Sequence, residues 1–141
     1  MGRPPAKELT ERELQVMHAF WNRGEIAATV AEVRDDLAVT GLDLAYTTVA
    51  TLVRILTDKQ FLIQTNEDRP FLHRPSRSYE DVSRTLLGDV IDRVFRGSRE
   101  MLLVRLIERQ GLSSRERDRL REMLDATEKD DDGDKKGGRA S

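Results

Sequence analysis

Apolar residues in the first part of the chain repeat with the period of an α-helix. Three helices are predicted: one that begins after Thr10 and ends at Gly24, one that begins after Thr29, and one over about residues 46–60. Thr10 and Thr29 are each followed three residues later by glutamate, the capping-box pattern that satisfies two backbone N–H groups at a helix start. The predicted inward-facing residues of the three helices are Val16, Met17, Phe20, Val30, Val33, Leu37, Val49, Leu52, Val53 and Leu56.

After residue 60 the pattern changes to short runs typical of strands. Residues 61–65 and 71–74 are predicted strands, and residues 66–70, with Asn, Asp and Pro, are the predicted turn between them. Three short helices followed by a β-hairpin form a winged helix-turn-helix, in which the third helix is free to enter a groove of DNA. We therefore predict a mainly α fold with a small β-hairpin wing, and a winged-helix DNA-binding domain over residues 1–77.

The second part of the chain predicts three more helices, with Ser78, Ser98 and Ser113 as their N-cap residues. These helices carry apolar residues on more than one side, and so small a unit cannot cover its own apolar surface. We expect a second copy of the chain to complete the core, which makes residues 78–126 a helical dimerisation domain. The expected contacts are Leu87, Ile91, Phe95, Leu102, Leu103, Leu106, Ile107, Leu120 and Leu124.

The end of the chain has a different composition. From Thr127 onward the only apolar residue is Ala140, and charged residues and glycine dominate. A segment of this kind buries too little surface to offset the entropy of ordering it. Residues 127–141 are therefore predicted to be a disordered tail.

Composition excludes several classes of function. The chain has no cysteine, which excludes disulfides and thiol nucleophiles, and it has no signal-like or membrane-spanning apolar run, so we expect a cytoplasmic protein that does not insert into membranes. No catalytic triad, paired carboxylates or phosphate loop can be recognised, so we do not expect an enzyme. His18 and His73 have no neighbouring ligands at metal spacing, so no metal or other cofactor is expected.

Net charge argues mildly against a nucleic-acid partner. The chain carries a formal charge of −2, and acidic and basic residues nearly balance in each predicted domain. A protein with this balance can bind DNA only if its positive charge is concentrated locally.

The side of the third helix opposite its apolar face carries the candidate DNA-binding residues. Thr47, Thr51 and Arg54 recur there at helical spacing, with Thr48 at the edge. Threonine is a mediocre helix former, but its hydroxyl can bond phosphates or base edges and its methyl group can contact thymine. An ordinary solvated face is the alternative, but the position directly before a hairpin favours DNA contact. The candidate set, including two wing arginines expected at phosphates or the minor groove, is Tyr46, Thr47, Thr48, Thr51, Arg54, Arg69 and Arg74.

Residues 45–52, AYTTVATL, resemble the AYTTVxTLL segment of the bacterial penicillinase-repressor family of the BlaI/MecI/CopY type. Residues 9–21, 29–33 and 69–75 resemble the first helix, the second helix and the wing of the same family, and the resemblance covers roughly residues 9–126. It implies a homodimeric repressor that occupies a pseudo-palindromic operator on double-stranded DNA.

The chain departs from the family pattern at the end of the third helix. The arginine stands at position 54, Ile55 takes its usual place, and Gln60 replaces a glycine. Without cysteine the copper-sensing mode of the family is excluded, and the resemblance implies release by a signal such as proteolysis of the dimerisation region, downstream of a membrane sensor-protease system. Two alternatives stay open: an effector-binding winged-helix regulator of the MarR/PadR type, and a winged helix used only for protein–protein contact.

Overall fold

A computed structural model describes residues 8–138 of the chain. For residue 110 and residues 128–138 it describes the backbone alone. Residues 1–7 of the predicted DNA-binding domain and residues 139–141 of the predicted tail lie outside the described residues. The order of elements confirms the predicted fold class, mainly α with a small hairpin wing. The elements are α1 (Glu11–Asn22), α2 (Val30–Val39), α3 (Tyr46–Asp58), β1 (Leu62–Gln64), β2 (His73–Pro75), α4 (Tyr79–Val94), α5 (Arg99–Gln110) and α6 (Ser114–Gly138).

Hydroxyl side chains define where most of these helices begin. Thr10 Oγ1 accepts a hydrogen bond from Glu13 N at 3.1 Å, and Thr10 N donates to Glu13 Oε1 at 2.9 Å. Thr29 and Glu32 repeat this arrangement, so both predicted capping boxes are confirmed. The first-turn amides of α4, α5 and α6 are bonded by the hydroxyls of Ser78, Ser98 and Ser113. Among the helices of residues 8–138, only α3 begins without such a bond, because Ala45 precedes it.

The apolar faces of α1, α2 and α3 form the core of the first part of the chain. The predicted inward-facing residues are buried, except that Val30 and Leu52 are partly covered at its edge. Val82 of α4 is 2% exposed and belongs to the same core. Because α3 turns its apolar stripe inward, its threonine side is held toward solvent.

The wing is an antiparallel hairpin in which Gln64 lies opposite His73. Its strands are shorter than predicted: beyond them one more backbone hydrogen bond, from Thr65 N to Leu72 O at 2.8 Å, joins the two sides, and Asn66 then shapes the loop. The Asn66 amide group donates to two carbonyls of the loop, and its Oδ1 accepts from Leu72 N at 2.7 Å. Ala28, just before α2, forms an additional antiparallel bridge to His73, which ties the start of α2 to the wing.

The C-terminus of α3 is closed by a residue in the left-handed region. Gln60 has φ 70°, a conformation that favours glycine, and it stands where the family pattern has glycine. Phe61 N donates to Leu56 O at 2.9 Å and so closes the last turn. A side chain at this φ costs about 1–2 kcal/mol, so the departure noted in the sequence carries backbone strain.

A buried carboxylate joins the start of α1 to the end of α3. Glu13 is 4% exposed, and its Oε1 accepts from Lys59 Nζ at 2.7 Å as well as from Thr10 N. Lys59 Nζ also donates to Glu8 O at 2.8 Å. Burial by itself would raise the pKa of Glu13, but the hydrogen bonds from Lys59 and Thr10 outweigh it and the net pKa is lowered.

We expect this cluster to make stability depend on pH. The folded-state pKa of Glu13 lies below its ordinary value of 4.5, so its contribution is present above the unfolded-state pKa and is lost as pH falls through the folded-state pKa. Lys59→Met leaves a buried carboxylate with one partner fewer and should lower the free energy of unfolding by about 1–3 kcal/mol at neutral pH. Urea denaturation at several pH values measures both effects.

Glu25→Gln is the control, because Glu25 is exposed to solvent and has no hydrogen bond or ion pair with the described residues. Glu13→Gln should flatten the acid limb of the stability curve, whereas Glu25→Gln should change it little. Equal acid limbs for the parent and Glu13→Gln would show that this carboxylate does not control acid stability.

The chain divides into two compact units, Met1–Asp89 and Val90–Ser141, so the division falls inside α4. The sequence places the functional boundary earlier, at residues 77 and 78. The difference arises because Val82 and Leu86 of α4 pack against the core of the first unit. The assignment of residues 1–77 to DNA binding and 78–126 to dimerisation stays a prediction.

The backbone of α6 continues to Gly138, whereas the composition predicts a tail without regular structure from Thr127. An α-helix satisfies its own backbone groups, and Glu and Lys are good helix formers. The lack of apolar residues therefore removes any face that could pack, but does not prevent a helix. None of the helices described between residues 8 and 138 combines the length and the apolar character that a membrane span requires.

Candidate nucleic-acid interface

The exposed side of α3 presents three hydroxyl groups that make no hydrogen bond to any described residue. Thr47, Thr48 and Thr51 are all solvent-exposed. By contrast, Thr57 near the end of α3 and Thr85 on α4 donate their hydroxyls to the carbonyl four residues earlier, at 2.7 and 3.0 Å. The hydroxyls on the outer side of α3 are not used by their own helix, so they are available to a phosphate or a base edge.

The N-terminus of α3 adds backbone donors to the same surface. The side chain of Ala45 cannot accept a hydrogen bond, and Val49 N is the first amide that bonds within the helix, to Ala45 O at 3.1 Å. The residues of the first turn that precede Val49 are exposed. The partial positive charge of a helix N-terminus favours an anion there, and a DNA phosphate satisfies these donors directly.

Tyr46 and Arg54 of α3 line a groove of about 930 Å³ between the start of α2, α3 and the wing. Thr29, Arg69 and Phe71 line the other sides of this groove, which we call the α2–α3–wing groove. Arg54 and Arg69 are exposed, and neither guanidinium has an ion pair or hydrogen bond with residues 8–138. The groove therefore supplies the local positive charge that the overall composition does not reveal.

Arg74 is separated from the other two candidate arginines. It lies on β2 next to His73, and because successive strand residues point to opposite faces, His73 is buried while Arg74 is exposed. Arg74 lines a different groove, together with Trp21 and Glu25. The structure thus brings together two of the three candidate arginines and places the third on the other face of the wing.

The groove also contains residues that the sequence pattern did not single out for function. His73 is 7% exposed, its Nδ1 has no hydrogen-bond partner among the described residues, and burial lowers its pKa, so the ring is neutral at neutral pH. Gln64, opposite His73 in the hairpin, lines the groove as well. A prediction of the hairpin register would have located both. Among residues 8–138 no group of three or more His, Cys, Asp or Glu side chains could hold a metal ion.

Several candidate dimer contacts are apolar side chains that a single chain leaves exposed. Leu103, Leu106 and Ile107 of α5 are each more than half exposed, as is Leu124 of α6. An apolar surface of this density indicates a place that another molecule covers. The other candidates are also exposed or only partly covered: Leu87, Ile91, Phe95, Leu102 and Leu120.

Three helices, a hairpin wing and an outward-facing third helix with free donors define a winged-helix, DNA-binding class of protein. The sequence matches the model of the penicillinase repressor family over residues 9–126. It is 34% identical over 117 residues to the transcriptional regulator BlaI of Mycobacterium tuberculosis, an alignment that covers 82% of each chain. The chain belongs to the penicillinase repressor family, and it is a transcriptional regulator. The resemblance seen in the sequence is thereby confirmed.

Two solved structures show weaker likeness. The ferric uptake regulator from Francisella tularensis with iron has a TM-score of 0.46 and 9% identity, over 65% of this chain and 83% of that chain. BpsR of Bordetella bronchiseptica, whose DNA binding is regulated by 6-hydroxynicotinic acid, has a TM-score of 0.42 and 18% identity, over 89% of this chain and 78% of that chain. Family membership rests on the sequence matches alone.

Proposed function

We propose that this regulator is a homodimeric repressor that occupies a pseudo-palindromic operator, with α3 of each protomer in the major groove of one half-site. The observation that carries the proposal is the outer side of α3, where the hydroxyls of Thr47, Thr48 and Thr51 have no partner among the described residues and the helix N-terminus has no side-chain cap. A helix fits the major groove, where hydroxyls can read base edges and methyl groups can contact thymine. An occupied promoter then excludes RNA polymerase.

Phosphate contacts would hold α3 in register. Arg54 and Arg69 have no carboxylate partner among the described residues, so their charge is available to the DNA backbone. Tyr46, at the start of α3, would contact a phosphate, and Arg74 would serve the other face of the wing. The net charge of −2 suits a modest affinity for each half-site.

Dimerisation would supply the remaining affinity. The apolar side chains of α5 and α6 are exposed on one chain, and a second copy provides a matching apolar surface. Tethering two half-site contacts makes the second contact intramolecular, which multiplies affinity. Any cut in the dimerisation region would remove the tether, so proteolysis after a signal from a membrane sensor-protease system is the proposed route of release in the cytoplasm.

Selection of sites from a random duplex library tests the proposal. We expect enrichment of inverted half-sites whose centres lie about 10–10.5 base pairs or a multiple apart, because a two-fold dimer places its α3 helices one or more turns of DNA apart. The protein should also protect a matching sequence in the promoter of its own gene from nuclease. Single half-sites would contradict the dimeric arrangement, and no enrichment at all would favour a winged helix used only for protein contact.

A further inference from the structure

The α2–α3–wing groove is more apolar than a surface that meets only phosphates needs to be. Its lining includes Val30 of α2, Ala50 and Val53 of α3, and Phe71 of the wing. Its volume of about 930 Å³ falls within the range of small-molecule sites, roughly 300–1,000 Å³. Phosphate oxygens gain nothing from such walls, whereas an aromatic or aliphatic group does.

The same groove carries more positive than negative charge. Arg54 and Arg69 both line it, and Asp58 is the one carboxylate among its described lining residues. None of the three side chains has an ion-pair partner within residues 8–138, so the groove carries an excess of one positive charge. The guanidinium of Arg69 already lies over the Phe71 ring, 5.5 Å from its centroid, which places a cation beside an aromatic surface.

One residue that lines the groove carries a buried polar atom without a hydrogen-bond partner among the described residues. His73 lines the groove, is 93% buried, and leaves Nδ1 without a hydrogen bond to any described residue. Native proteins rarely keep such an atom unsatisfied. Apolar walls beside two arginines without an ion-pair partner among the described residues suit an amphipathic anion.

We propose that the α2–α3–wing groove binds a small aromatic carboxylate and that DNA cannot bind while it is occupied. The ring would pack on Phe71 and Ala50, and the carboxylate would accept hydrogen bonds from Arg54 and Arg69. The second half of the proposal rests on the proposed function, because Arg54 and Arg69 are also the proposed phosphate contacts. A ligand at both arginines would act as an inducer by direct competition.

Binding of 2-naphthoate to the full chain without DNA tests the site itself. We expect saturable shifts of the amide resonances around the groove in an isotope-labelled chain. The neutral analogue 2-naphthamide should bind at least about tenfold more weakly, because it lacks the charge that the guanidinium groups recognise. Arg54→Ala and Arg69→Ala should each weaken 2-naphthoate binding by about tenfold or more.

Arg12→Ala is the matched control, since it removes the same charge from an exposed position on α1 outside the groove. Equal affinity of 2-naphthoate for Arg12→Ala, Arg54→Ala and Arg69→Ala would overturn the site. Equal binding of 2-naphthoate and 2-naphthamide would overturn it as well.

Competition with a labelled DNA duplex at low salt tests the second half of the proposal, that DNA cannot bind while the groove is occupied. No operator is needed, because phosphate contacts are independent of sequence. The apparent Kd for the duplex should rise in proportion to 2-naphthoate and stay constant with 2-naphthamide. Simultaneous binding of duplex and 2-naphthoate would overturn the competition. A chain that binds no duplex under any condition would contradict the proposed function. The titration without DNA would still show whether 2-naphthoate binds in the groove.

Discussion

Leu106→Glu is expected to give a monomer whose affinity for operator DNA is lower by about 10²–10⁴-fold. Leu106 is 54% exposed on a single chain, and Leu103 beside it on α5 is 57% exposed. If a second copy covers this surface, a glutamate there would be buried without a partner, a cost that dissociates the dimer. Each monomer would then hold one half-site only. Sedimentation velocity measures the association state, and a gel shift measures the decrease in affinity.

Arg105→Ala is the control for this experiment. It changes the net charge by the same single unit, and it lies on another side of α5, where Arg105 forms an exposed ion pair with Glu108 at 2.9 Å. Such pairs contribute about 0–1 kcal/mol, so this variant should stay dimeric with parental affinity. A dimer that survives both Leu103→Glu and Leu106→Glu would show that α5 is not part of the interface.

Thr48→Ala and Thr51→Ala are each expected to weaken operator binding by about 1–3 kcal/mol for every base that the hydroxyl reads. Neither hydroxyl has a partner among the described residues, and alanine is the better helix former, so folding should be unaffected. Binding should weaken for operator DNA only. Each substitution should also relax the preference for one base pair in each half-site. Binding to operator and scrambled duplexes, measured at several salt concentrations, separates the two effects.

Two comparisons make this measurement decisive. Thr85→Ala makes the same change on α4, where the hydroxyl bonds its own helix, and should leave operator binding unchanged. Arg54→Ala removes a proposed phosphate contact, so it should weaken binding to all sequences alike and reduce the salt slope by about one per phosphate. If the threonine variants bind operator like Thr85→Ala while remaining dimeric, α3 does not read the bases.

Much of the fold could be predicted because its signals are local. The capping boxes at Thr10 and Thr29 mark two helix starts, and the three- and four-residue spacing of apolar residues identifies the inward side of α1, α2 and α3. These features involve residues within one or two turns of each other, so they can be read without knowing how the elements pack. The threonine side of α3 could be located by the same rule, as the side opposite the apolar stripe.

Other features depend on residues that are far apart in the chain. The bridge between Ala28 and His73, and the burial of Val82 in the core of the first unit, result from packing that no local pattern encodes. The same holds for the contact of Lys59 with Glu13, which fixes the end of α3 against the start of α1.

For the candidate site, the sequence by itself determined which residue types stand on α3 and the wing, and the family to which they belong. Only the tertiary structure decided that Arg54 and Arg69 share one apolar-lined groove while Arg74 lies on the other face of the wing. The physical reason is that the register of a hairpin and the docking of a wing on a helix depend on long-range backbone pairing and core packing. A shift of one residue along a strand would exchange the faces of His73 and Arg74 and give a different groove.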